Sequence, residues 1–206
     1  MTKIILQLIF ALSFFNIVAQ NSKFEIGPEI GLNISDYRYI EAKYVRGLSI
    51  NRMSFGVVGK FNFSRNWALK SKLKYEGKGI LITDDSEIEL FTQKLNYIVM
   101  PVMAEWRVGQ GNLQGFFNFG MYGGLLMSAS KEYSNDEVKD NKEDFKPYDY
   151  GLAGGLGVIY KLTNSLKITL DWGGQFGLSP IDFNGYPNGW KANQNLSGNI
   201  GVLFGL

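Results

Sequence analysis

The feature that most constrains this chain is an alternation of apolar and polar residues with a period of two. It recurs in eight segments of about ten residues or more: residues 24–34, 53–63, 67–78, 97–108, 113–127, 148–161, 166–178 and 196–206. In the first segment, Phe24, Ile26 and Ile30 share one face, and Glu25 and Glu29 share the other. Because successive side chains of a β-strand point to opposite faces, each segment is predicted to be a strand with one apolar face.

The lengths of these segments and of their connections favour a closed barrel that crosses a bilayer. A tilted strand needs about 9–11 residues to cross a membrane, whereas ordinary strands have about five or six. Short connections (64–66, 109–112 and 162–165) alternate with long ones (35–52, 79–93, 129–147 and 179–195). Short periplasmic turns and longer outer loops are typical of such barrels. The sequence therefore predicts an all-β fold, an eight-stranded antiparallel up-and-down transmembrane β-barrel with four mobile outer loops.

The first 19 residues have the pattern of a secretory signal peptide. Lys3 supplies a positive charge, residues 4–18 form an apolar run interrupted by three polar residues, and Ala19 is a small residue at a suitable cleavage position. The run is too short and too interrupted for a comfortable transmembrane helix. We therefore expect a cleaved signal peptide at residues 1–19 and a barrel domain at 20–206, with an uncleaved membrane anchor as the alternative.

The polar faces of the eight segments carry numerous charged residues. If the apolar faces contact lipid, these charges point into a lumen that is only wide enough for side chains in an eight-stranded barrel. Acids and bases are nearly equal in number there, so we expect a salt-bridged plug rather than an open channel, since an ion buried without a partner is costly. The predicted lumen network consists of Glu25, Glu29, Lys60, Lys70, Lys72, Lys74, Glu76, Glu105, Arg107, Asp149, Lys161, Lys167 and Asp171.

Alternation alone does not show which face points outward, because a soluble barrel has the opposite arrangement. Aromatic residues near both ends of the apolar faces favour a membrane barrel with two interfacial girdles. The polar faces are also rich in glycine, which suits a narrow barrel. The last segment alternates up to Leu206, which resembles the signal read by the barrel-insertion machinery. The predicted girdles are Phe63, Trp67, Trp106, Tyr160 and Phe204 near the short turns, and Phe55, Tyr75, Tyr150, Trp172 and Phe176 nearer the long loops.

The composition excludes several classes of site. The chain has no histidine and no cysteine, which excludes a Ser-His-Asp triad, a zinc-thiolate site and a lipid-modified cysteine. The 21 Lys and Arg nearly balance the 19 Asp and Glu, which gives no indication of nucleic-acid binding. The acidic stretch from Asp136 to Asp144 alternates with lysines and lacks the ligand spacing of a calcium loop, which favours a solvated loop. We predict no catalytic, cofactor-binding or metal-binding residues and no enzymatic activity.

The long connections form the predicted recognition surface, because loops on a rigid scaffold often carry binding. Their aromatic residues are candidates to anchor a partner or the barrel rim: Tyr37, Tyr39, Tyr133, Phe183, Tyr186 and Trp190. The expected partners are outer-membrane lipid, the barrel-insertion machinery during biogenesis, and an extracellular or envelope protein that the sequence does not identify.

Four segments resemble motifs of the PorT-like outer-membrane β-barrel family. Residues 95–106 (LNYIVMPVMAEW) are similar to its fourth strand, residues 119–126 (FGMYGGLL) to its fifth, residues 148–157 (YDYGLAGGLG) to its sixth, and residues 27–33 (GPEIGLN) to its first. The resemblance spans the whole chain after the expected signal peptide. It implies an outer-membrane barrel, and one class of the family assists the secretion of proteins across that membrane.

These observations favour a non-enzymatic outer-membrane protein of a Gram-negative bacterium with a structural, adhesion or interaction role through its outer loops. Three alternatives stay open: an accessory component of an outer-membrane protein secretion system, a narrow pore, and a soluble periplasmic barrel that binds a ligand.

Overall fold

The computed structural model describes residues 23–40, 46–83, 89–183 and 190–206. In this part of the chain eight long strands and one short strand follow one another. They are β1 (Phe24–Ile40), β2 (Arg46–Asn62), β3 (Trp67–Thr83), β4 (Glu89–Val108), β5 (Leu113–Tyr133), β6 (Val138–Asp140), β7 (Tyr148–Lys161), β8 (Leu166–Gly177) and β9 (Trp190–Gly205). A single 3-10 turn, Lys142–Asp144, follows the short strand β6. No helix among the described residues is long and apolar enough to cross a membrane.

The eight long strands form a closed antiparallel ring. Their order is β4-β3-β2-β1-β9-β8-β7-β5, and β5 pairs with β4 to complete the circle. The short strand β6 pairs only with one end of β5, through Ser130, Lys131 and Glu132. Closure pairs both edges of every long strand, so the ring presents no free edge to another chain. The predicted eight-stranded up-and-down antiparallel barrel is confirmed.

Three short turns lie at one end of the ring, which we call the turn end; the opposite end is the loop end. Side-chain oxygens hold two of these turns. Ser64 Oγ accepts hydrogen bonds from the backbone N–H of Asn66 (3.3 Å) and Trp67 (3.0 Å), and Thr163 Oγ1 does the same for the two residues that begin the return to β8. The third turn contains Gly109 and Gly111, both with positive φ. Serine, threonine and glycine are suited to such tight reversals.

The strands are longer at the loop end than the sequence predicted. The expected long connections at 35–52 and 79–93 were wrong in extent, because β1 continues to Ile40, β2 starts at Arg46, β3 continues to Thr83 and β4 starts at Glu89. Period-two alternation continues here, with Asn33, Ser35 and Tyr37 all buried on one face. The outward face carries polar residues such as Asp36 and Arg38 in this region. The row of apolar residues that marks this face nearer the turn end therefore does not continue here.

The two faces of the ring differ sharply. On β1, Glu25, Glu29 and Asn33 are buried inside, whereas Ile30 and Leu32 are about 60% exposed on the outside, at 58% and 63%. The same division holds on β3, where Lys70, Lys72 and Lys74 are buried and Leu69 and Leu73 are exposed. A polar interior with an apolar exterior suits a barrel surrounded by hydrocarbon, which offers no hydrogen-bond partner.

Candidate functional site

The interior is built on a ladder of lysines along β3. Lys70, Lys72, Lys74 and Lys78 point into the ring because they are an even number of residues apart on one strand. Each is at most 5% exposed. Four ammonium groups in a dry interior require counter-charges, since an ion buried without a partner is strongly unfavourable.

Asp171 on β8 supplies the central counter-charge. Its Oδ2 lies 2.6 Å from Lys70 Nζ and 3.3 Å from Lys72 Nζ. Lys72 Nζ also lies 2.8 Å from Glu29 Oε1 on β1. These bonds cross the lumen between strands that are not neighbours in the ring, and they fill its centre.

A second group of charges closes the turn end. Glu105 Oε2 lies 2.8 Å from Lys60 Nζ and 3.5 Å from Lys70 Nζ. Glu25 forms an ion pair with Lys167. It also accepts a hydrogen bond of 2.7 Å from Asn62 Nδ2.

A third group lies toward the loop end. Lys78 Nζ is 2.9 Å from Asp149 Oδ2, and that carboxylate also accepts hydrogen bonds from Tyr122 Oη (3.1 Å) and Asn193 Nδ2 (2.9 Å). Glu76 lies 3.3 Å from Lys74 and accepts a hydrogen bond of 2.7 Å from Asn195 Nδ2. Each of these carboxylates therefore has several hydrogen-bond donors, which satisfy its oxygens away from water.

An apolar cluster covers these charges at the loop end. It includes Tyr37, Ile80, Leu95, Tyr97, Val99, Leu126 and Ala129 from the strands, together with Phe145 and Ile181 from the connections. We call the connecting residues 141–147 and 178–183 the cap. Ile181 is fully buried, and its backbone oxygen accepts a hydrogen bond of 2.8 Å from Lys146 N–H. Phe145 and Asp182 also form a β-bridge, so the two halves of the cap hold each other over the barrel mouth.

The lumen between these groups is nearly full. A cavity of about 30 Å³ lies among Lys72, Lys74, Asn118 and Asp171, which is room for about two water molecules. In the described part of the chain, the ion pairs therefore occupy the lumen from the turn end to its centre, and the apolar cluster and the cap lie above them at the loop end.

The structure places most of the predicted lumen residues together and adds several that the sequence analysis missed. Eleven of the thirteen are buried inside the ring, while Lys161 and Lys167 are half-buried at the turn end. The missed members are Lys78, Asn193, Asn195, Asn199, Tyr97 and Tyr122. Lys78 continues the even-numbered series on β3, so its parity was a usable signal. Parity also placed Tyr122 and Asn199 on the polar faces of their segments, but a neutral side chain carries no charge that demands a partner in the lumen, so they were not included in the network.

Comparison with known proteins identifies the family of this barrel and the membrane in which it lies. A family model described as "Outer membrane protein beta-barrel domain" matches residues 18–182, most of the chain. The chain belongs to this family. It is a protein of the outer membrane of a Gram-negative bacterium.

Solved structures of other outer-membrane barrels share the fold at low sequence identity. OprG from Pseudomonas aeruginosa is 14% identical, with a TM-score of 0.57 over 89% of this chain and 95% of that one. Neisserial surface protein A is 11% identical, with a TM-score of 0.55 over 90% and 98% of the two chains. Outer membrane protein W of E. coli is 10% identical, with a TM-score of 0.50 over 90% and 98%. No curated protein matches the sequence.

Membership of this family settles which face meets lipid. The exposed apolar face of this outer-membrane barrel contacts hydrocarbon, and the charged face lines the lumen. The alternative of a soluble periplasmic barrel is therefore wrong. The residues predicted to form two aromatic girdles lie on the lipid face, among them Trp67 and Trp106 near the turn end and Phe55 and Tyr75, whose rings stack at 5.4 Å, nearer the loop end. Short turns of such barrels face the periplasm.

The aromatic residues predicted on exposed outer loops have different environments. Tyr37 is buried inside the loop end of the barrel, which corrects its placement on an exposed loop, because the inward series of Asn33 and Ser35 continues to it. Tyr133 is half-buried at the end of β5, and Phe183 is 61% exposed in the cap. Tyr39 and Trp190 lie on β1 and β9, but their side chains are outside the described part of the chain, as is all of Tyr186.

No chemical centre is evident in the described residues. Among them, no three acidic side chains are grouped so that they could hold a metal ion. The buried carboxylates and lysines neutralise one another, and the cap separates them from the loop-end solvent. This arrangement leaves the lipid face and the two ends of the barrel as the surfaces that meet other molecules.

Proposed function

We propose that this protein is a non-enzymatic outer-membrane barrel that acts through its surface, in a structural, adhesion or interaction role carried by the loop end. The observation that carries this proposal is the closed lumen, with Lys70, Lys72 and Asp171 paired at its centre and Ile181 buried in the cap. A filled lumen is unsuited to conduction or to a substrate, whereas the hairpin of β5 and β6 is exposed to the medium. We further propose that residues 1–19 are a cleaved signal peptide.

The first test is conductance in planar bilayers. We expect the purified protein to insert without producing current steps, under conditions in which a general porin produces them. Regular steps from the wild type would support the narrow pore and contradict the closed lumen.

The second test addresses the loop end directly. In a strain that lacks the protein, cells are complemented with the wild type or with a variant in which residues 131–139 are replaced by a two-residue turn that joins the paired residues Ser130 and Asp140 and leaves the cap in place. We expect the deletion strain to lose surface attachment or envelope integrity, and the short-hairpin variant to fail to restore it while still inserting. Full restoration by the variant would place the role elsewhere on the protein.

A second candidate function is assistance to protein secretion, which the resemblance to the PorT-like family suggests. The sequence motif LNYIVMPVMAEW at residues 95–106 favours it. It predicts that the deletion strain retains in its periplasm proteins that the wild type secretes. Unchanged secreted proteins in that strain would remove this candidate and leave the structural or adhesion role.

A further inference from the structure

Two glycines leave a gap in the lipid face of the barrel. Gly154 on β7 and Gly174 on β8 are direct cross-strand partners. Both lie on the outward side, because their neighbours face the lumen: Ala153 is buried there, and Gln175 donates a hydrogen bond to the inward Glu76. In register with this pair lie Phe119 on β5 and Leu196 on β9, both 66% exposed. The large side chains of Phe119 and Leu196 therefore flank the two glycines, where the lipid face has no side chains.

A second row of side chains bounds the gap on the loop-end side. Leu152, Phe176 and Gln194 are in register across β7, β8 and β9, and Asp36 on β1 continues the row. A groove of about 560 Å³ runs across the strands between the two rows. That volume is within the range of about 300–1,000 Å³ for small-molecule sites, and most of its wall is apolar.

The position of the groove indicates what fills it. Ile34, the partner of Leu196, lies in the row nearer the turn end. Counted from the turn end, Ile34 is the eleventh residue of β1 and Gly174 is the ninth of β8. A tilted strand crosses the membrane in about 9–11 residues, so the groove lies in the outer half of the lipid face. Hydrocarbon chains are what surround the protein at that depth.

A positive charge is fixed at the loop-end edge of the groove. The guanidinium carbon of Arg38 lies 3.9 Å from the centroid of the Phe176 ring, and its Nη2 donates a hydrogen bond of 2.8 Å to the Gly177 carbonyl oxygen. The carboxylate at the far end, Asp36, accepts hydrogen bonds from Tyr37 N–H (2.6 Å) and Ser49 Oγ (3.4 Å). The cation lies directly above the groove wall, where a lipid headgroup meets the protein.

We propose that this groove binds one acyl chain of an outer-leaflet lipid whose anionic, phosphate-bearing headgroup lies at Arg38. The site is apolar where the chain lies and cationic where the headgroup lies, and the missing side chains of Gly154 and Gly174 provide its depth. It is thus a specific lipid site within an otherwise continuous lipid-facing surface.

Quenching of Trp172 by brominated lipid tests this site. Trp172 lies on the lipid face of β8, two residues before Gly174. The reporter protein carries Trp67→Phe, Trp106→Phe and Trp190→Phe, and it is reconstituted in phosphatidylcholine vesicles with increasing brominated phosphatidylglycerol. We expect the anionic lipid to associate about fivefold more strongly than brominated phosphatidylcholine, which corresponds to one basic residue acting on an anionic lipid.

Filling the groove should abolish this preference. In Gly154→Leu and Gly174→Leu the new side chain occupies the floor, and the ratio of the two association constants should fall to about one. The matched control is Gly123→Leu, an outward glycine on β5 where an added Cβ meets nothing within 4 Å; it should keep the wild-type ratio. Each variant is first shown to have the gel mobility of a folded barrel.

Arg38→Gln provides a measurement that does not depend on the glycine variants. It should reduce the preference for phosphatidylglycerol while leaving quenching by brominated phosphatidylcholine unchanged. A wild-type ratio of about one, or a preference that survives both groove-filling variants, would overturn the proposal.

Discussion

Asp171 neutralises two buried lysines at once, so we expect the stability of the barrel to depend strongly on its charge. In Asp171→Asn the shape is kept, but Lys70 and Lys72 lose a carboxylate at 2.6 and 3.3 Å. Breaking a buried ion pair from one side costs about 3–5 kcal/mol. We expect a decrease of that size in the free energy of unfolding, measured by guanidinium titration of the protein in lipid vesicles.

An exposed ion pair gives the matched control for Asp171. Glu137 and Lys139 on the β6 hairpin lie 3.1 Å apart, with about half of each side chain exposed (50% and 57%). Because solvent screens such pairs, Glu137→Gln should change the free energy of unfolding by less than about 1 kcal/mol. Equal effects of the two substitutions would show that the lumen charges are hydrated.

At the scale of the strand, glycines on the inner face permit the strong coiling of a narrow barrel. A Cβ built on Gly120 of β5 would lie 2.0 Å from the Val102 carbonyl oxygen of β4. Gly120→Ala must therefore shift one strand against the next, and overpacking of this kind costs about 1–3 kcal/mol or more. We expect a lower yield of refolded protein for Gly120→Ala, measured as the fraction with folded gel mobility.

The same strand supplies the comparison. Gly123 is three residues further on and faces outward into open space, so Gly123→Ala should refold with the wild-type yield. If Gly120→Ala refolded equally well, the close approach of β4 and β5 at this point would not constrain the fold.

The cap is the second element whose role can be isolated. Because the chain has no cysteine, Ser35→Cys introduces a single thiol, at a fully buried inward position of β1 two residues from Tyr37 of the apolar cluster. We expect a charged maleimide added from outside to label this thiol slowly. Adding Ile181→Asp, which places an ion in the apolar cluster, should open the cap and speed labelling at least about tenfold.

An exposed thiol on the β6 hairpin, Ser134→Cys, calibrates the reagent and should react quickly with or without the cap substitution. Fast labelling of Ser35→Cys in the intact protein would mean that the mouth of the barrel is open.

At the scale of the whole molecule, the closed ring predicts resistance to detergent at low temperature. No long strand in the described part of the chain has a free edge from which pairing can be lost stepwise. We expect the outer-membrane fraction to contain a band whose mobility on a detergent gel changes on boiling. A band with the same mobility before and after boiling would contradict a closed barrel.

The fold could be predicted from the sequence because hydrocarbon outside and charge inside impose a strict alternation on each strand. The alternation alone shows that Ile30 faces lipid and Glu29 faces the lumen, and it shows the same for Leu73 and Lys72. Beyond the lipid face both sides of a strand can be polar or aromatic. Tyr37 is therefore buried in the lumen where the sequence indicated a loop, and Leu95 is buried there in a stretch that the alternation left without an assignment.

The partners within the lumen could not be predicted for a different reason. Parity shows that Lys70 and Asp171 both point inward, but not that they meet. Their contact depends on the order and stagger of strands that lie 101 residues apart in the chain. The two cross-strand glycines of the lipid groove were hidden in the same way, since only the register brings Gly154 beside Gly174.

The ion pairs that cross the lumen affect how the protein folds and how it is degraded. Strands β3 and β8 lie opposite each other, with three strands between them in either direction around the ring, so Lys70 meets Asp171 only when the sheet has curled nearly closed. We therefore expect the lysine ladder to stay hydrated until late in folding. Interactions that are absent from the transition state slow unfolding rather than speed folding. The finished barrel should thus persist for long periods by kinetics, and its turnover in the cell should begin with proteolysis of the exposed hairpin rather than with spontaneous opening.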